Sequence, residues 1–225
     1  MNLSEEFDVW DFSHKIDSKM TTFPAAWHRQ TQIEILGTIE SVGRRSAHVS
    51  IGTHAGTHVD APSHFIENGK SIDQLDLRVF FGVAFCLKID LSHTQSLSVE
   101  KQLLAQLKFA PRNQALFFNF GWGRFYLDAE KYYKEQPWIS VNCAQEILNL
   151  NPPILGYDLA MLDNPSHGYG CTIDSPIHKL FLGSNIPLIE NAVFPTELSG
   201  EILYAAIPLS LNNLDGSPVR FIGWR

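Results

Sequence analysis

The stretch from residue 48 to residue 64 constrains the fold most, because it holds four of the chain's nine histidines. Imidazole and carboxylate groups are the usual ligands of zinc and similar divalent ions. A straight strand rises about 3.3 Å per residue and would hold His54 and His58 roughly 13 Å apart, too far to share one ion. A helix would bring them together, but the glycine, threonine, valine and proline residues around them disfavour a helix. We therefore expect a strand that ends near Gly52 and a tight curl through Gly56, where glycine allows positive φ.

The spacing of His54, His58 and Asp60 predicts a divalent-metal site. His64 follows four residues after Asp60, beyond Pro62. An imidazole that does not bind the ion can transfer protons, because its ordinary pKa is about 6.5. A solvated histidine-rich loop is the alternative interpretation of the same residues. The spacing and the interleaved glycines favour a metal site with a general base beside it.

Two residues far downstream are candidates for further ligands, because a single ion needs three or four. Glu190 shares strand parity with the apolar Ile186 and Leu188, which argues against exposure to solvent, although exposure remains an alternative. His178 lies where a polar loop runs into a predicted helix, and an ordinary surface or capping histidine remains an alternative there. His167, in a flexible loop, is a candidate substrate contact.

Composition limits the classes of function. The chain has 225 residues, of which 44% are hydrophobic and 18% charged, enough for one large domain or two small ones. Its net charge of −7, without a basic stripe, argues against nucleic acid as a partner. Cys86, Cys143 and Cys171 form no CxxC pair, which favours a reducing cytoplasm. Neither a signal peptide nor an apolar run of membrane-spanning length is expected.

Hydrophobic patterning predicts a mixed α/β chain that is richer in strand than in helix. The predicted strands are Ile33–Ile39, Ala47–Ile51, Val83–Leu91, Ala115–Phe120, Ile154–Tyr157, Ile186–Ala192 and Ile202–Pro208. The predicted helices are Ser98–Leu107, with Ser98 as a candidate N-cap, Ser140–Leu148, opened by Ser140, and Phe125–Tyr133.

The motif that runs from His54 to Phe65, HAGTHVDAPSHF, resembles the signature of a known family. This is the cyclase family of metal-dependent hydrolases, which includes bacterial kynurenine formamidase and isatin hydrolase. Asp11-Phe-Ser-His14 is similar to the family's opening strand, and the segment 206–220 to its closing strand. The twelve-residue step from His178 to Glu190 also matches the family's second ligand pair. The resemblance therefore spans nearly the whole chain.

The resemblance implies one domain over residues 1–225, a swivelling β/β/α fold, and a cytosolic homodimer or homotetramer. It implies one or two ions of zinc or manganese. The first would be held by His54, His58 and Asp60, the second by Asp60, His178 and Glu190, and His64 would be the acid/base.

Near the substrate, relatives often have Pro-Gly-Asp where this chain has Pro24-Ala25-Ala26. The adjacent Phe23 and Trp27 indicate a flat or ring-bearing small-molecule substrate, although ordinary packing roles are as well supported.

These observations predict hydrolysis of a C–N amide bond in a small aromatic or cyclic substrate. A metal-dependent lyase or dehydratase, or a lactone hydrolase, could use the same groups. A non-catalytic protein that binds a metal or a small ligand is the remaining alternative, since a fold alone does not establish activity. Neither the substrate nor a role for Cys171 follows from the sequence.

Overall fold

A computed structural model describes residues 7–91 and 99–225. The strands of this part of the chain are β1 (Val9–Asp11), β2 (Gln32–Gly37), β3 (Ser46–Ser50), β4 (His58–Asp60), β5 (Phe81–Lys88), β6 (Ala115–Asn119), β7 (Leu155–Tyr157), β8 (Leu188–Glu190), β9 (Gly200–Pro208) and β10 (Gly216–Trp224). Its α-helices are α1 (Ile39–Val42), α2 (Glu100–Leu107), α3 (Ala129–Lys134), α4 (Val141–Asn149) and α5 (Pro176–Gly183). Single 3₁₀ turns cover Pro62–His64, Ile72–Gln74, Leu77–Phe80 and Gly123–Phe125. The predicted mixed α/β class is confirmed.

Seven strands close into a barrel in the order β10, β4, β8, β7, β6, β5, β9, because β9 also pairs with β10. The strands β5 to β8 run parallel to one another, whereas every pairing that involves β4, β9 or β10 is antiparallel. The short β1 extends this sheet by pairing with β10. Within the barrel, β4 pairs with β10 on one side and with β8 on the other.

Strand alternation separates two buried layers. Six barrel strands contribute to one cluster, which therefore fills the barrel; its members include Val59, Ala84, Phe117, Ile189, Tyr204 and Phe221. The rings of Phe117 and Phe221 meet edge to face with centroids 5.1 Å apart. Leu116 and Phe118 point the other way and pack against α2, α4 and α5. His58 and Asp60 flank Val59 and therefore also point out of the barrel, towards the helices.

The helix predictions have three outcomes. Helix α4 is confirmed, with the Ser140 hydroxyl accepting a hydrogen bond from the Cys143 amide. Helix α2 is confirmed from Glu100, whereas Ser98 lies outside the described residues. The helix predicted from Phe125 to Tyr133 begins too early. The Asp128 side chain caps α3 by accepting from the Lys131 amide, so the helix starts only after it.

The predicted strands are found, with shifted ends. Strand β2 stops at Gly37 and not at Ile39, because Thr38 caps the short helix α1 through the Ser41 amide. Strand β3 ends at Ser50, close to the predicted Gly52, and Gly56 has φ of 62° as the predicted curl requires. The prediction of one domain over the whole chain stays a prediction.

The hairpin of β2 and β3 forms its own two-stranded sheet, apart from the barrel. Every residue of β3 is exposed, and β2 is exposed up to its last residue. We call residues 32–50 the arm. Its exposed apolar side chains are Ile33, Ile35, Leu36, Ile39, Val42 and Val49. None of the helices in the described part of the chain has both the length and the apolar character needed to cross a bilayer.

Candidate metal centre

Strand pairing brings the first two candidate ligands together. His58 on β4 lies directly opposite Glu190 on β8, and the two side chains project from the same face of the sheet. His58 Nε2 is 3.5 Å from Glu190 Oε2 and 3.2 Å from Asp60 Oδ1. Glu190 is therefore buried at the site and does not face solvent, as its strand parity predicted.

His54 reaches the same place through the turn at Gly56. Because Gly56 has positive φ, the chain reverses before β4, and His54 Nδ1 comes to 2.7 Å from Asp60 Oδ1. A straight strand could not have brought these atoms together. The predicted curl thus delivers His54 to the site.

His178 approaches from helix α5. It lies in the first turn, after Pro176, and its Nε2 is 3.0 Å from Glu190 Oε1 and 3.8 Å from Asp60 Oδ2. The structure therefore brings the other four predicted ligands around the carboxylate of the fifth, Asp60.

The donor set fits a divalent ion, since donor atoms of the buried His58, Asp60 and Glu190 all lie within 4.8 Å of one another. Nitrogen and oxygen ligands at about 2.0–2.1 Å in a tetrahedral site lie roughly 3.3 Å from one another. The closest donor pairs at this site are separated by 2.7–3.8 Å. Asp60, His58, His178 and Glu190 are each at most 6% exposed, and buried carboxylates are costly unless paired or metal-bound. Zinc and manganese both accept imidazole and carboxylate ligands.

Each candidate histidine ligand is oriented by a second hydrogen bond. His58 Nδ1 donates to the carbonyl of Gly56 at 2.8 Å. His178 Nδ1 is 2.6 Å from Asp163 Oδ2, and His54 Nε2 is 2.7 Å from Asp215 Oδ2. Outer partners of this kind fix the tautomer and the ring orientation of metal-binding histidines.

Electrostatic coupling keeps the carboxylates ionised and the imidazoles basic. Burial lowers the pKa of both His54 and His58, but nearby carboxylates outweigh this effect. Asp60 and Asp215 raise the pKa of His54 to about 9, and Asp60 and Glu190 raise that of His58 to about 10. Burial raises the pKa of Asp60, but the surrounding histidines hold it well below its ordinary value. Protons therefore occupy the histidines in the absence of an ion, and an ion has to displace them.

His64 stands at the edge of this cluster, at the end of the turn Pro62–His64. Its Nδ1 is 3.1 Å from Asp215 Oδ2, and its Nε2 is 4.0 Å from Asp60 Oδ2. The centroid of its imidazole ring lies 4.0 Å from the centroid of the His54 ring. His64 therefore lies where an imidazole could exchange protons with a group bound at the cluster. A nitrogen of His64 also lies within 4.8 Å of donor atoms of His54 and Asp60, so it could bind an ion as well.

A cavity of about 630 Å³ opens onto these residues. Phe23 and Trp27, the predicted substrate contacts, both line it. His167 does not, although Pro165 and Gly168 on either side of it do. Other aromatic lining residues are Phe65, Tyr133 and Tyr169. Sites for small aromatic molecules have this size and lining.

Asp163, Asp215 and His28 belong to the site but were not predicted from the sequence. Asp215 lies in the segment 206–220, which resembles the family's closing strand, but nothing local indicates that Asp163 or Asp215 contacts a histidine elsewhere in the sequence. His28 also lines the cavity, with its ring 6.0 Å from that of His54. Burial, followed by the neighbouring histidines, lowers the pKa of His28 to about 4. A lone histidine in a loop gave no signal of this position.

The family of the chain follows from the sequence of residues 10–164. The model of the Cyclase family matches residues 10–164. The chain belongs to the Cyclase family. The matched region includes His64 and three of the five predicted metal ligands, whereas the other two ligands, His178 and Glu190, lie beyond it.

Individual relatives are similar to the chain over almost its full length. It is 27% identical to the kynurenine formamidase of Bacillus cytotoxicus over 223 residues, 99% of this chain and 98% of the relative. Its fold matches an isatin hydrolase bound to the product analogue thioisatinate, with a TM-score of 0.87 at 17% identity, over 99% of this chain and 94% of the other. A predicted metal-dependent hydrolase from Bacillus stearothermophilus matches with a TM-score of 0.75 at 19% identity, over 97% and 98%.

Proposed function

We propose that this protein is a metal-dependent hydrolase that cleaves a C–N amide bond in a small aromatic or cyclic molecule. The observation that carries the proposal is the cluster of His54, His58, Asp60, His178 and Glu190 beside His64, at the base of an aromatic-lined cavity. At the level of enzyme class, the chain is an amidohydrolase that acts on C–N bonds other than peptide bonds, in keeping with its family and its named relatives.

The cofactor proposed is zinc or manganese, as one or two ions. His54, His58 and Asp60 would hold one ion, and Asp60, His178 and Glu190 a second. A bound ion supplies two effects: it lowers the pKa of water towards 7 and it polarises a carbonyl group. Each predicted ligand offers a nitrogen or a carboxylate oxygen of the kind that these ions bind.

His64 is proposed as the acid/base. Its Nδ1 faces the carboxylate of Asp215, which can only accept, so Nδ1 carries the proton and Nε2 is free to take one. Nε2 would accept a proton from water as the water oxygen forms a bond to the carbonyl carbon. It would then give that proton to the nitrogen as the C–N bond breaks, so the products are a carboxylic acid and an amine.

The substrate is proposed to carry an aromatic or planar group next to its amide or imide carbonyl. Phe23 and Trp27 line the cavity, and the Trp27 ring lies edge-on to Tyr169 with centroids 4.8 Å apart. Planar rings gain both apolar contact and edge-to-face attraction in such surroundings. Two of the named relatives are a kynurenine formamidase and an isatin hydrolase, and kynurenine-type formamides and isatin both contain a benzene ring fused or joined to an amide. A substrate contact of His167 stays a prediction.

Turnover of a substrate panel tests this proposal. The panel contains N-formylkynurenine, isatin, formanilide, an aryl ester, a lactone and a dehydration substrate, each measured with zinc and with manganese. Turnover of at least one aryl amide or imide supports the proposal. Turnover of only the ester, the lactone or the dehydration substrate would show that the amide assignment is wrong. Binding without turnover of any of them would favour a non-catalytic binding protein.

The protein is also proposed to form a homodimer or homotetramer in the cytoplasm. The arm presents apolar side chains to solvent on a two-stranded sheet, and a second copy of the chain is its proposed partner. Light scattering coupled to size-exclusion chromatography tests this. We expect Ile35→Lys to lower the molar mass and the matched Glu34→Lys to leave it unchanged. A monomeric wild-type protein would contradict the proposal.

A further inference from the structure

One carboxylate oxygen joins the metal cluster to the candidate base. Asp215 Oδ2 lies 2.7 Å from His54 Nε2 and 3.1 Å from His64 Nδ1. The centroids of the two imidazole rings are 4.0 Å apart and their planes meet at 33°. The carboxylate of Asp215 therefore bridges the edges of the two rings. An ionised carboxylate accepts several hydrogen bonds but donates none, so both imidazole nitrogens must carry protons.

The position of Asp215 is fixed by the backbone. Its carbonyl accepts from the Ala61 amide at 2.9 Å, and the next residue, Gly216, pairs with Asp60 across β4 and β10. A Cβ at position 216 would come within 2.7 Å of the Val59 carbonyl and 3.0 Å of His54 Cε1. Glycine therefore allows β10 to approach closely enough for Asp215 to reach both histidines.

We infer that Asp215 is a positioning residue that sets the tautomers of two histidines with different tasks. With Nε2 protonated, His54 presents Nδ1 towards Asp60, where an ion would bind. With Nδ1 protonated, His64 keeps Nε2 available for proton transfer. Through one oxygen, Asp215 thus supports both metal binding and acid/base chemistry. This inference rests on the proposed function of His64, but its part concerning His54 depends on metal binding alone.

Asp215→Asn tests the inference, because asparagine keeps the shape but can point a donor at the rings. We expect the zinc dissociation constant to rise about 10- to 100-fold. At saturating zinc, we expect kcat to fall about 100-fold with KM changed less than about threefold. The Nδ1–H signal of His64 should also disappear from ¹H–¹⁵N spectra of the zinc-loaded protein. Asp215→Glu should recover part of each effect, and Asp76→Asn, which alters a surface carboxylate, should show none.

The same substitution in a His64→Ala background separates the two roles. If Asp215 acts on turnover through His64, Asp215→Asn should cause no further fall in kcat there, whereas zinc binding should still weaken. An equal fall in kcat in both backgrounds, or unchanged zinc affinity in the single variant, would overturn the inference. If the wild-type protein turned over no substrate, the proposed function would fail, while zinc affinity and the imidazole spectrum would still decide the role of Asp215.

Discussion

His178 Nδ1 lies 2.6 Å from Asp163 Oδ2, and both residues are buried. Asp163 also accepts hydrogen bonds from the backbone amides of Ile177 and His178, at 2.8 and 3.1 Å. It therefore both caps α5 and turns the imidazole so that Nε2 faces Glu190. The position of this ligand depends on a carboxylate outside the predicted site.

Asp163→Asn should weaken metal binding about 10- to 100-fold, because an amide donor facing Nδ1 favours the tautomer that protonates Nε2. The loss of a buried hydrogen-bond acceptor should also lower the free energy of unfolding by about 1–3 kcal/mol. Isothermal titration with zinc and thermal unfolding measure the two effects. Asp76→Asn, on the surface, is the matched control. Unchanged zinc affinity in Asp163→Asn would show that Asp163 does not orient a ligand.

His58→Ala and His64→Ala should differ in what they lose. His58→Ala removes a ligand, so bound metal and turnover should fall together. His64→Ala should keep its metal and its fold but lose about 10²–10⁴-fold in kcat, the usual contribution of an acid/base. Metal content by mass spectrometry and kcat at saturating metal distinguish the two. If His64→Ala loses metal as completely as His58→Ala, then His64 is a ligand and the base lies elsewhere.

The short-range part of the site could be predicted from the sequence. His54, His58, Asp60 and His64 lie within eleven consecutive residues, and glycine at position 56 indicated the reversal that brings them together. Glu190 could be predicted because a carboxylate interrupts an apolar strand. In each case the signal was local: the residue types, their spacing and the backbone freedom of one glycine.

The long-range part could not be predicted. Asp215 is 151 positions from His64, and their contact depends on the register between β4 and β10. The predicted start of α3 was wrong for a different, local reason: apolar periodicity runs on through Phe125, but the capping side chain of Asp128 decides where the helix begins. Closure of the barrel by β9 and β10 likewise has no marker in either strand alone.

His14 should make stability depend on pH. It stacks on Tyr126 with ring centroids 3.6 Å apart, and burial lowers its pKa from 6.5 to about 4. Between these values the unfolded chain binds a proton that the folded chain does not, so stability falls as the pH falls. His14→Phe keeps the stacking and removes the titration. Between about pH 7 and about pH 5, the free energy of unfolding of the wild-type protein should therefore fall by roughly 2 kcal/mol more than that of His14→Phe.

Chemical denaturation across this pH range measures the effect. His48→Gln, which removes an exposed histidine from β3, is the control and should follow the wild-type curve. Parallel curves for His14→Phe and the wild-type protein would show that His14 takes up its proton equally in both states.

Trp27→Ala should weaken substrate binding without impairing the chemistry. Trp27 is 58% exposed at the cavity and meets Tyr169 edge to face. Loss of one aromatic contact should raise KM for an aryl amide roughly 3- to 10-fold and leave kcat nearly unchanged. Leu127→Ala, another exposed apolar residue, should change neither value. An unchanged KM in Trp27→Ala would exclude this residue from the substrate site.

Metal removal and restoration tests the central claim most directly. The wild-type protein is dialysed against a strong chelator, and its metal content and its turnover of the best substrate in the panel are measured on the same sample. Zinc or manganese is then added back, with His58→Ala treated in parallel. We predict that metal and turnover disappear together, that both return in the wild-type protein, and that neither returns fully in His58→Ala. Full turnover in a wild-type sample shown to be free of metal would contradict the account.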